Sequence, residues 1–125
     1  MKNYGTFEDI EFYKAAREFR KAIYNLIKNL PDEEKFNLSS QMRRAATSLT
    51  NNIAEGNGRY HYQESIQFCR QARGSLAELI DDLNICIDEA YLSAEVVNDL
   101  KVKAYDINKR LNGYIAYLRK MKAET

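Results

Sequence analysis

The chain has no tryptophan, one proline, two cysteines, one histidine and five glycines in 125 residues. Each scarcity excludes something. With Pro31 alone, and glycines only at 5, 56, 58, 74 and 113, little interrupts a helix, so long helices are expected. One histidine, His61, and cysteines without CxxC or HxxxH spacing provide no ligand set for zinc, and neither metal nor cofactor is expected. Cys69 and Cys86 fall in one predicted helix, about 25 Å apart along its axis, so they cannot bridge within it and read as small buried apolar residues. No apolar run is long enough to span a bilayer, and MKNYGTFEDIEF carries acids where a signal peptide needs an apolar stretch. A cytoplasmic protein without a membrane partner is the expectation.

What is present is a helical pattern throughout. Phe12, Ala16, Phe19, Ile23, Leu26 and Leu30 step by fours and threes, a seam that predicts a helix over roughly 8–30, ended by Pro31. Leu38, Met42, Ala45, Leu49 and Ile53 repeat the pattern to about Glu55, with Ser39 as N-cap and Gly56 at a left-handed C-terminal position. A third helix, about 62–90, carries Tyr62, Ile66, Cys69, Leu76, Ile80, Leu83, Ile87 and Ala90 on one stripe and Phe68, Ala72, Leu79 and Cys86 on a second, which implies two packing partners. Ser93 caps a fourth, with Val97, Leu100, Ala104, Ile107, Leu111, Tyr114, Leu118 and Met121 as its seam. No alternating strand pattern competes. The prediction is one all-α domain over 1–125, an antiparallel up-down-up-down four-helix bundle.

That topology converts charge order into charge position. Net charge is only +1, which argues against strong nucleic-acid binding by a monomer. Between Gly74 and Leu100 there are seven acids and no Lys or Arg, whereas from Lys101 to Lys122 there are seven bases and only Asp106. The bundle should therefore have an acidic end, with Asp32, Glu33, Glu34, Asp88, Glu89, Glu95 and Asp99, and an opposite end gathering Lys2, Arg59, Arg119, Lys120 and Lys122, diluted by Glu8, Asp9 and Glu11.

A polar stripe runs beside the apolar seam of helix 2: Arg44, Ser48, Asn52 and Glu55. On helix 3, Arg73 interrupts its own seam, with Ser75 and Glu78 within a turn. If the two faces meet, Glu55 and Arg73 are natural partners, and the stripe is a structural network that sets helix register. An enzyme would use Glu55 as general base, but no nucleophile, second titrating group or metal accompanies it, so no catalytic residue is assigned. Gly74, in mid-helix, predicts a tight helix crossing.

QMRRAATSLTNNIAEGNGR followed by FCRQARGSLAELIDDL resembles the four-helix-bundle family encoded within intervening sequences of bacterial 23S ribosomal RNA genes, also labelled S23 ribosomal protein. The resemblance rests on RRA, a serine four residues after the second arginine, NIAEG, an arginine after the glycines, and ARGSL-E. It implies a bundle that assembles with itself as a homo-oligomer, a pentameric ring. The chain is also similar to the accessory variability determinant of diversity-generating retroelements, a pentameric bundle that binds a reverse transcriptase and nucleic acid. Carried over by motif, the family-pattern positions are Arg44, Ser48, Asn52, Glu55, Gly56, Arg59, Arg73, Gly74, Ser75 and Glu78.

Two functions follow. In the first, the protein is an RNA or ribonucleoprotein scaffold, its surfaces being the helix 1 stripe Lys14, Arg17, Lys21 and Lys28 and the basic end with Arg59, Arg119, Lys120 and Lys122. Tyr60 and Tyr62 would stack bases beside Arg59, and repetition around a ring would multiply a weak patch. The partner could also be a nucleic-acid-processing protein. In the second, it is a self-assembling protein-interaction module without nucleic-acid affinity, to which its nine tyrosines contribute buried contact.

Overall fold

A computed structural model of the chain describes residues 7–124. Four helices follow one another: α1 (Glu11–Ile27), α2 (Leu38–Asn57), α3 (Tyr62–Asp88) and α4 (Ala94–Ala123), with short 3-10 turns at Phe7–Asp9 and Asp32–Glu34. Among the described residues there is no strand. Each helix packs against its neighbours in sequence, and α4 returns to α1, which closes an antiparallel bundle with α1 diagonal to α3. Of the four neighbouring pairs, α2 and α3 share the most extensive contact and α1 and α4 the least.

The heptad seams are the core. Phe12, Ala16, Phe19, Ile23, Leu26 and Leu30 are buried, as are Leu38, Met42, Ala45, Leu49 and Ile53. The two stripes on α3 bury Cys69, Leu76 and Leu83 together with Ala72, Leu79 and Cys86. On α4 Ile115 is buried in place of the expected Tyr114, which lies half-buried with its ring 5.1 Å from Phe12. Burial pushes the thiols of Cys69 and Cys86 up to about 11, so both stay protonated and inert near neutrality.

The helix ends differ from the expectation in instructive ways. α1 stops at Ile27, because Asn29 and Leu30 donate to the carbonyls three residues back and tighten the last turn before Pro31. Ser39 is buried inside α2 instead of capping it; Glu34 reaches forward and accepts from the Leu38 N–H at 3.4 Å. Ser93 does cap α4, accepting from the Val96 N–H at 3.2 Å. Gly56 lies within α2, and no described glycine has positive φ.

The left-handed residue is Ala90, at φ 58°. It closes α3 as a Schellman motif: Tyr91 N–H donates to the Cys86 carbonyl and Ala90 N–H to Ile87, both at 2.9 Å. Tyr91 then donates its hydroxyl to Glu34 at 2.7 Å, tying the α3–α4 turn to the α1–α2 loop. That bond holds the Glu34 carboxyl below its usual range and pushes the Tyr91 hydroxyl up to about 12.

The glycine roles also exchange. A Cβ on Gly56 would stand 3.0 Å from the Phe68 Cβ and 3.3 Å from the Ser65 carbonyl, so this is where α2 and α3 approach closely. A Cβ on Gly74 would meet nothing within 4 Å, so no crossing within the chain requires that glycine. Two opposite effects are expected in thermal melts. Ala90→Gly removes a left-handed alanine and should stabilise the fold by about 1 kcal/mol. Gly56→Ala should destabilise it by about 1–3 kcal/mol despite alanine's better helix propensity, because Phe68 and the backbone must give way.

Candidate functional site

The polar stripe of α2 meets α3 at one level. Ser75 donates its hydroxyl to Ser48 Oγ at 2.9 Å, with the Gln71 carbonyl at 3.2 Å as the alternative acceptor. Asn52 donates to both the Ser48 carbonyl and Ser48 Oγ at 2.9 Å. This local network, partly buried, joins three of the seven residues expected there. Above it lies a groove of about 380 Å³ lined by Gln41, Arg44, Ser48, Ser75 and Glu78. Arg44 and Glu78 stand on its two sides without forming an ion pair.

The expected Glu55–Arg73 pair does not form. Glu55 binds Arg59 on its own helix at 2.7 Å, and Arg73 reaches across to Asn112 on α4 at 2.8 Å. Register is the reason. With Ser48 opposite Ser75 on antiparallel helices, Glu55 is level with Phe68, roughly 7 Å along the axis from Arg73. Arg59 accordingly lies over the Phe68 ring at 4.6 Å. The Glu55–Arg59 pair is largely exposed and contributes under about 1 kcal/mol.

The basic surfaces are also rearranged. Of the helix 1 stripe, Lys14 faces Glu11 at 3.4 Å and Lys21 faces Glu18 at 3.6 Å, whereas Arg17 and Lys28 are exposed without a carboxylate partner among the described residues. Three residues that spacing did not single out sit at the α1–α2 seam. Arg20 donates to Thr50 at 2.8 Å, Arg43 stacks over the Tyr24 ring at 4.4 Å, and Tyr24 hydrogen-bonds Thr47. The i, i+3 acids before Lys14 and Lys21 were visible in the sequence; the cross-helix hydroxyls required the register.

At the end where α2 stops and α3 begins, Tyr60 is 92% exposed, with its ring edge-on to His61 at 5.0 Å. Tyr62 is half-buried against the core, where the apolar stripe of the third helix places it. Lys122 donates to Gln63, and Tyr60, His61, Tyr62, Gln63 and Lys122 line a groove of about 530 Å³. Arg119 and Lys120 are exposed in the last two turns of α4, beside the negative end of its dipole. Lys2, also placed at this end, lies outside the described residues.

One buried carboxylate stands apart. Asp82 is 6% exposed and makes no hydrogen bond or ion pair among the described residues. Loss of solvent pushes its carboxyl up to about 6, and Asp81 and Glu78 add to the shift. Among the described residues no group of three His, Cys, Asp or Glu could hold a metal ion, and no helix is long and apolar enough to cross a membrane.

The model of the family described as 23S rRNA-intervening sequence protein matches residues 8–113. The chain is similar to a solved structure from Bacteroides thetaiotaomicron, a protein with unknown function from the S23 ribosomal protein family. The two are 28% identical with a TM-score of 0.78, over 84% of this chain and 95% of that one. No curated protein matches.

Asp82 generates a pH-dependent expectation. A carboxyl raised in the folded state contributes stability that is complete below its unfolded value of 3.8 and lost as pH rises through about 6. Asp82→Asn should therefore be more stable than the parent above pH 7, by on the order of 2 kcal/mol. The gap should close as pH falls from 6 to 4. Urea melts across that range check it; a gap independent of pH would assign the cost to packing.

Proposed function

From a chain that belongs to the 23S rRNA-intervening sequence protein family, we propose a non-enzymatic, homo-oligomeric scaffold in the cytoplasm that binds RNA through its basic surfaces. The assembly is a ring in this reading, pentameric as the resemblance implies. The observation that carries it is the end of the bundle around Tyr60. An aromatic ring left 92% exposed on a turn, with Arg59 and His61 beside it and Arg119 and Lys120 on the adjoining helix end, offers stacking and phosphate contact together. Chemistry of another kind has little to work with: Cys69 and Cys86 are buried and protonated, and Glu55 is spent on Arg59.

A second reading, a self-assembling protein-interaction module without nucleic-acid affinity, draws support from the opposite side of the molecule. There an apolar groove opens between α1 and α4, with Val102 69% exposed on α4.

RNA titration followed by fluorescence anisotropy separates them. Structured RNA should bind with affinity of about 1 μM or tighter at low salt and weaken steeply as salt rises. Arg119→Glu with Lys120→Glu should flatten the salt slope by about one unit for each phosphate no longer neutralised. Tyr60→Ala should weaken binding roughly tenfold with the slope unchanged, the signature of stacking. Indifference to RNA at both low and high salt would leave the second reading.

A further inference from the structure

We propose that the groove between α2 and α3 binds a small dipolar ion of the α-amino acid class, its carboxylate held by Arg44 and Ser48 and its ammonium by Glu78 and Gln41. The groove encloses about 380 Å³, within the range of small-molecule sites, and every residue lining it except Ala45 is polar. It lies on the helix pair whose register the Ser75–Ser48 bond fixes. Neither the packing of the bundle nor the RNA surface proposed above makes use of Arg44 or Glu78.

The hydrogen bonds already formed determine what the lining has left to offer. Ser48 Oγ accepts from Asn52 and from Ser75, both at 2.9 Å, and those two donors occupy its lone pairs. Its own proton has no acceptor among the described residues, so toward the groove Ser48 is a donor. Arg44 adds a planar guanidinium on the same wall, the group best shaped to grip a carboxylate by two parallel bonds. Gln41 donates to Asn37 at 3.3 Å and presents its carbonyl oxygen as acceptor.

The charges face each other across the groove. Counted from the Ser48–Ser75 contact on antiparallel helices, Arg44 is level with Leu79 and Glu78 with Ala45, so both stand at nearly the same height. Both are exposed, and neither makes an ion pair or hydrogen bond among the described residues. One turn further along, Asp82, seven residues after Ser75, comes level with Gln41, seven residues before Ser48. Asp82 is 6% exposed and unpartnered, and the charge on Glu78 opposes its ionisation. A cation seated between Glu78 and Gln41 relieves that repulsion.

This arrangement selects for a ligand with both signs. A simple anion on Arg44 would face Glu78, and a simple cation on Glu78 would face Arg44. A dipolar ion meets neither conflict. The midpoint of Ser48 and Arg44 and the midpoint of Gln41 and the Glu78 level lie about 5 Å apart along the axis. One or two carbon atoms between carboxylate and ammonium span that distance, which is the build of an α-amino acid.

Amide NMR titration of the full chain with each of the common free L-amino acids tests the site. At least one should bind with a Kd of about 1 mM or tighter and shift the Ser48 and Ser75 signals. Its methyl ester, which lacks the carboxylate charge, and its N-acetyl derivative, which lacks the ammonium, should each bind at least tenfold more weakly. Arg44→Gln and Glu78→Gln should each lose at least tenfold while melting like the parent, since both side chains are exposed. Arg44→Glu combined with Glu78→Arg should recover binding to within about fivefold, because a free dipole can turn round in the groove. The site is overturned if no amino acid shifts these signals by about 10 mM, if binding survives capping of either ligand charge, or if the swapped variant binds no better than the single ones. Ser75 is roughly 20 Å along α3 from Tyr62, so RNA affinity should be unchanged in the two neutralised variants, and either result stands without the other.

Discussion

The close approach of α2 and α3 is the constraint from which the rest of the molecule takes its geometry. Gly56, Ala45, Ala46 and Ala72 are small and buried, and Gly56 admits the Phe68 side chain against its own backbone. Side chains of this size let two helix backbones come together until their polar stripes touch, and Ser75 bonding Ser48 is the result. Once those two hydroxyls are opposite one another, every other level on the pair is determined by the rise of about 1.5 Å per residue. Glu55 falls beside Phe68, the α2–α3 turn falls beside the end of α4, and Asp82 is carried into the interior with no partner among the described residues.

On the other side the constraint is relaxed. Where α1 meets α4, Phe19 and Ile107 are buried but Val102 is left in solvent, and a groove opens between the helices. Hydrophobic burial is roughly proportional to area, so apolar surface left open here is stabilisation the single chain does not collect. Tight packing on one pair and slack packing on the opposite side leave the bundle with one finished face and one unfinished one.

Much of the fold was legible. Every residue of the heptad seams on α1 and α2 is buried, because a 3.6-residue period with apolar side chains has one way to face a core. The bundle class and the family followed from the same segments. What could not be read were relations between helices. Glu55 and Arg73 looked complementary by type, but spacing along each helix says nothing of the offset between them. Gly74 looked like a crossing and Gly56 like a terminus; only the packing of α2 on α3 shows which has a neighbour. The Schellman turn at Ala90 was hidden because its left-handed residue is not glycine. Tyr62 against the core was legible as the first residue of the third helix's apolar stripe, whereas Tyr60, two positions earlier and before the helix, is turned outward.

A near-neutral chain can act as a polycation only if its charges are sorted in space and then repeated. Topology sorts them in part: α2 ends, α3 begins and α4 ends at the same place, so Arg59, Arg119, Lys120 and Lys122 collect there beside Glu8, Asp9, Glu11, Glu55 and Glu64, while Glu34, Asp88, Glu89, Glu95 and Asp99 collect at the far end. Repetition depends on how copies are oriented. Antiparallel copies would put acidic ends beside basic ones and cancel the field over a Debye length of about 8 Å. Copies held parallel would put every Tyr60 on one face of an assembly. Contacts too weak to hold RNA singly then act at one another's effective concentration. The orientation of any subunit contact, more than the net charge of +1, would therefore decide whether this surface can bind an extended anion.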